Sequence, residues 1–177
     1  MMRAAMMVLL LDLAACGKSE PEVSLENATP EQVAAEMKKS GIAEELRKPG
    51  KWAYETTITQ IDAPGMPPEM AAQMKQVMGQ GQKLERCVTA EEIAKVDAFV
   101  GANQANCTFA KYTVGGGRVE GEARCDQGGM KQHMVMDGKY TPDSSDMTIR
   151  STTSGAPGPA SEMKMTMRIK SNRLGDC

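Results

Sequence analysis

Cys107-Thr108-Phe109-Ala110-Lys111-Tyr112-Thr113-Val114-Gly115-Gly116-Gly117-Arg118-Val119-Glu120-Gly121-Glu122-Ala123-Arg124-Cys125 reads as strand, glycine turn, strand. β-Branched and aromatic residues fill the first arm, and three glycines supply the backbone freedom of a tight reversal. The two cysteines are equidistant from Gly116, so folding the segment sets them opposite each other, within reach of a cross-strand bridge. Further turn signals lie at 126–129 and 141–144, predicting strands over about 107–114, 118–125, 130–139 and 145–153. The Ser154-Gly155-Ala156-Pro157-Gly158-Pro159 loop leads to a last strand at about 162–172. Turns this short force antiparallel neighbours, so these five strands should form a meander.

Alternation says which side faces inward. Met163, Met165, Met167 and Ile169 share one side of the last strand, and Lys164, Thr166, Arg168 and Lys170 the other. Met130, Met134 and Met136 share a face likewise, as do Met147 and Ile149. Aromatic residues are only 3% of the chain whereas methionines number 16, so methionine must fill space that rings usually take. One face of the sheet is therefore methionine-rich and the other solvated.

Upstream, Trp52 to Ile61 reads as a strand, followed by the breaker cluster Asp62-Ala63-Pro64-Gly65-Met66-Pro67-Pro68. Met66, Met70, Met74 and Met78, with Val77, make a stripe along and just ahead of a helix from Pro68 to about Met78, expected to pack on the methionine face. Lys83 to Val88 is a strand, and Thr89-Ala90-Glu91-Glu92 is a capping box opening a helix to about Phe99. Thr29-Pro30-Glu31-Gln32 opens an earlier helix to about Lys39, resuming past Gly41 through Leu46, while 17–28 reads as a polar tether. The expected fold is α+β: a mainly antiparallel, curved, half-barrel-like sheet with a helix on one face, stapled by disulfides.

The start of the chain gives an address. Arg3, the apolar run Ala4 to Leu11 and then Leu13-Ala14-Ala15-Cys16 have the layout of a secretory signal ending like a bacterial lipobox, with Asp12 interrupting the run. This divides the chain into a signal (1–15), a lipidated tether and short helical stem (16–48) and a sheet domain (49–177). Lipid on Cys16 makes the membrane a partner at the periplasmic face, and Gly17 in place of aspartate points to the outer membrane. The four remaining cysteines are an even set in an exported chain. If Cys107 pairs with Cys125, Cys87 is left with Cys177; the loop-entropy model gives about 3 and about 4.5 kcal/mol respectively. A four-thiolate zinc site lacks its closely spaced cysteine pairs.

The runs Pro49-Gly50-Lys51-Trp52, Ala63-Pro64-Gly65-Met66-Pro67-Pro68, Cys87-Val88-Thr89-Ala90-Glu91-Glu92, Gly138-Lys139-Tyr140 and Arg173-Leu174-Gly175-Asp176-Cys177 resemble a proteobacterial envelope family, DUF3617, over about residues 49–177. The resemblance implies an exported domain of no established activity, and it transfers no catalytic residues.

Net charge is −2, with no basic patch and interleaved aromatics, which excludes nucleic acid as a partner. No enzyme motif stands: the single histidine, His133, falls opposite Met134 and Met136; Gly115-Gly116-Gly117-Arg118 is a turn; and Glu91 and Glu92 complement a helix start. No cofactor is expected. The favoured reading is a non-enzymatic binding or structural domain whose methionine face takes an apolar ligand or peptide through Met70, Met74, Met78, Met134, Met136, Met163, Met165 and Met167. The alternative is periplasmic Cu(I) binding, since thioethers suit that ion and Met134-Val135-Met136 and Met163-Lys164-Met165-Thr166-Met167 have a Met-x-Met pattern.

Overall fold

The computed structural model describes residues 21–95, 106–155 and 161–177. Across them run β1 (Val23–Ala28), α1 (Pro30–Ser40), α2 (Ile42–Leu46), β2 (Gly50–Asp62), α3 (Pro68–Gly79), β3 (Gln82–Val88), α4 (Ala90–Ala94), β4 (Cys107–Gly115), β5 (Arg118–Gln127), β6 (Met130–Thr141), β7 (Ser144–Ser154) and β8 (Glu162–Gly175). The strands form one antiparallel sheet in the order β1-β4-β5-β6-β7-β8-β2-β3. β4 to β8 are the meander that the short turns require. The sheet is open, with β1 and β3 as its edges.

Two expectations are corrected. Residues 17–28 read as tether, yet Val23–Ala28 form β1, with Val23 opposite Val114 and Ala28 opposite Phe109 on β4. Ser24, Glu26 and Asn27 disguise this strand, and Asn27 takes a left-handed φ of 51° that breaks the simple alternation. The helices expected as a stem are part of the core. Thr29 and Gln32 exchange both capping-box hydrogen bonds, and Gly41, at φ 74°, closes α1. Val33 and Met37, one helical turn apart, are fully buried, as is Ile42 at the start of α2. Together with Trp52, Phe109, Tyr112 and Val114 they make the hydrophobic core.

The helix on the sheet is therefore not the expected one. No residue of α3 is buried, and Val77 is 73% exposed. The reason is topological. β2 and β3 are direct neighbours at one edge, paired from Gly50 with Val88 to Thr56 with Gln82, so their connection stays at the end of that edge. α3 leans on β2 instead of crossing to β6 and β8. Among the described residues no helix is long and apolar enough to cross a membrane.

Candidate functional site

Register assembles the methionine face. Met136 on β6 is opposite Ile149 on β7, which is opposite Met167 on β8, which in turn is opposite Ile58 on β2. In the next row Met134 is opposite Ser151 and Ser151 opposite Met165. Met163 faces Thr153, and Met147 faces Ile169. All of these apolar side chains are half-buried. The face nevertheless divides. Met134, Met136 and Met147 pack against the core beneath α1 and α2, whereas Met163, Met165, Met167 and Ile169 lie beyond that cluster. Part of the methionine is plain space-filling: a β-carbon at Gly121 would stand 3.0 Å from Met136 Cγ, and one at Gly138 would collide with Met147.

The structure thus places Met134, Met136, Met163, Met165 and Met167 on one face and leaves Met70, Met74 and Met78 apart on α3. Met70 is 54% exposed and Met78 40%. For copper the spacing is unfavourable. β7 separates Met134 from Met165 and Met136 from Met167, a backbone distance of about 9–10 Å, with Ser151 and Ile149 in between.

The opposite face is a ladder of exposed ion pairs. Arg168 grips Asp146 with two hydrogen bonds of 2.8 and 2.6 Å, which holds that carboxyl below its ordinary value. Arg150 meets Asp137 at 2.6 Å, and His133 Nε2 lies 3.0 Å from Glu122. Such pairs contribute little individually. They keep this face wet.

A second locus lies at one end of the sheet, of which the sequence indicated only the approach of Cys87 and Cys177. The start of β2, the end of β3 and the end of β8 meet at one corner, where Lys51 is opposite Cys87 on one side and Gly175 on the other. Arg173 Nε donates to the Pro49 carbonyl at 2.8 Å, and its guanidinium also pairs with Asp176. Trp52 is buried, with Nε1 donating to the Lys48 carbonyl at 3.0 Å. The Arg47 guanidinium lies 5.0 Å from the centroid of the Trp52 ring and 5.6 Å from that of Tyr54, and burial lowers its pKa. A cavity of about 340 Å³ opens nearby between the α1–α2 pair and α4, lined by Met37, Ala43, Arg47 and Ile93 among others. Runs up to 124 residues apart converge here, brought together by pairing register.

The cysteines follow expectation in one pair. Cys107 and Cys125 are Cα partners 4.0 Å apart and joined by a disulfide. The second expected bridge is not closed: Cys87 and Cys177 are free, exposed thiols. They interact with each other, and hydrogen bonding to Cys87 is the main influence raising the Cys177 pKa. Cys16 lies outside the described residues.

The model of a family described as a protein of unknown function, DUF3617, matches residues 47–177, most of the chain. The chain belongs to the DUF3617 family. That span runs from β2 through β8 and contains the corner, the methionine face and both cysteine pairs; β1, α1 and α2 precede it. No curated protein and no solved structure matches this DUF3617 chain.

Proposed function

We propose that this DUF3617 protein is a non-enzymatic binding domain, held in the bacterial envelope by lipid on Cys16, whose methionine face takes the acyl chain of a lipid. One observation carries the reading: the β8 half of that face lies outside the core cluster that α1 and α2 join, while α3 leaves its own apolar stripe unburied. Contiguous apolar surface of this kind marks interaction sites in soluble proteins. Unbranched thioether side chains re-pack around a flexible guest at little cost.

The chemistry of the face favours hydrocarbon over peptide. A peptide laid on methionine and isoleucine would leave its N–H and C=O groups without partners, a penalty an alkyl chain does not incur. Length agrees as well. Met163 to Ile169 covers about 20 Å at the rise of a strand, against the roughly 15 Å that one leaflet of a bilayer gives an acyl chain. The lipobox ending in Cys16 and the disulfide between Cys107 and Cys125 both suit an oxidising envelope compartment.

Native mass spectrometry of the full chain extracted from membranes tests the proposal, with anthroyloxy-palmitate as the titrated probe. The expected result is a co-purifying lipid mass and saturable probe fluorescence that Met165→Asp weakens about tenfold or more, because a charge replaces a buried apolar contact. A clean apo mass with no saturable signal overturns it. A bound peptide mass overturns the acyl assignment in favour of a partner segment.

A further inference from the structure

β3 is the exposed edge of the sheet. Among the described residues it pairs with β2 alone, and every one of its residues except Val88 is exposed. Backbone pairing from Gly50–Val88 to Thr56–Gln82 holds it, with the exposed Lys51–Glu85 ion pair at 2.7 Å and the Arg86 guanidinium 5.8 Å from the Tyr54 ring centroid. At the end of this strand stands Cys87, opposite Lys51, and across β2 the same Lys51 is opposite Gly175. Two strand spacings separate Cys87 from Gly175, about 9–10 Å. Asp176 and Cys177 follow Gly175 directly, and the Cys177 thiol lies near enough to Cys87 for hydrogen bonding to raise its pKa. Two contacts hold the end of β8 here: Arg173 with Asp176, and Arg173 Nε with the Pro49 carbonyl. The result is two exposed thiols at one corner, near enough to influence each other, on strands that are not themselves paired.

We propose that Cys87 and Cys177 are an oxidisable thiol pair that closes into a second disulfide over β2, clasping edge strand β3 to the end of β8. Neither is needed elsewhere: Cys107 and Cys125 are joined to each other on β4 and β5, with three strands between them and β2. The reaction is thiol–disulfide exchange with an oxidant of the disulfide class, such as oxidised glutathione or a disulfide-bearing oxidoreductase. One cysteine loses its proton and attacks an oxidant sulfur, forming a mixed disulfide and expelling one oxidant thiolate. The other cysteine, also deprotonated, attacks the protein sulfur of that mixed disulfide and expels the second oxidant thiolate. Two protons leave the protein, and two electrons pass to the oxidant's S–S bond.

Exposure makes this bond the labile one of two. Cys107 and Cys125 are each only 5% exposed, whereas Cys87 and Cys177 face solvent. Closure also fixes the far end of the excursion that carries α3, because α3 is attached to the sheet through β2 on one side and β3 on the other. Oxidation state would thereby set how firmly α3 and β3 are held.

The full chain, equilibrated with reduced and oxidised glutathione, alkylated and digested without reductant, decides the matter by mass spectrometry. The expected product is a Cys87 peptide linked to a Cys177 peptide, lighter by two hydrogen atoms than the pair of thiols. Cys177→Ser should leave Cys87 alkylated or glutathionylated. Mild reductant should open this bridge before Cys107–Cys125, and hydrogen exchange along β3 should be at least about tenfold slower in the oxidised protein. Alkylation of both cysteines after oxidation, linkage of Cys87 to any other cysteine, the reverse order of reduction, or unchanged exchange in β3 would each overturn the clasp.

Discussion

Gly50 lies directly against the backbone carbonyl of Gly175, with no room for a β-carbon between them. Its φ of 141° is also one that side-chain-bearing residues rarely adopt. The first residue of β2 is thus moulded to the last residue of β8, at the corner where Cys87 and Cys177 meet.

Gly50→Ala should accordingly destabilise the fold by about 2–4 kcal/mol, combining steric conflict and backbone strain. Gly116→Ala, in a turn with nothing within 4 Å of the added carbon, should cost only about 1 kcal/mol through its φ of 55°. Urea midpoints of the two variants measure the contrast, and equal midpoints would refute the close-packed corner.

Replacing Cys107 and Cys125 together by serine opens a loop with a sequence separation of 18. The chain-entropy model gives a loss of about 3 kcal/mol, the serines being small enough to occupy the same positions. The measurement is chemical denaturation of the variant beside the parent. An unchanged midpoint would mean that the hairpin needs no staple.

Tyr112 is buried, and desolvation pushes its hydroxyl from 10.0 up to about 12. The unfolded chain sheds this proton near pH 10 while the folded protein keeps it. This group therefore leaves stability untouched below about pH 10, then removes about 2–3 kcal/mol as pH rises through about 12. Tyr112→Phe should lower stability at neutral pH, because the 3.5 Å hydrogen bond from Tyr112 Oη to Met37 Sδ is lost, but should flatten the alkaline decline. Unfolding curves across this pH range compare the slopes; an identical decline in both proteins argues against Tyr112 as its source.

Two helices carry apolar stripes of similar appearance and opposite fate. Met37→Ala on α1 empties a fully buried position and should cost about 2–4 kcal/mol. Val77→Ala on α3 touches a side chain that is 73% exposed and should change stability by no more than about 0.5 kcal/mol. Thermal melts would separate the two at once, and a large loss at Val77 would show that α3 packs more tightly than its exposure indicates.

The meander was readable because each of its signals is local. Gly115-Gly116-Gly117 turns the chain, Met163, Met165 and Met167 alternate with charged or polar residues, and Thr29 and Thr89 make capping boxes with residues three positions on. β1 escaped notice because an edge strand with few inward residues has almost no pattern to detect. The α3 stripe misled for the converse reason: amphipathic spacing shows that a helix has an apolar side, not that any surface lies in front of it.

Local chemistry in the chain was thus enough to specify strands, turns, caps and the Cys107–Cys125 staple, since each depends on residues close together or related by one hairpin. Which helix packs on the sheet, which half of the methionine face joins the core cluster, and how Pro49, Cys87, Arg173 and Cys177 come to share a corner all depend on the order β8-β2-β3 at one edge. That order arises from long-range pairing, whose free energy is spread over whole strands and leaves no mark on any short stretch of residues.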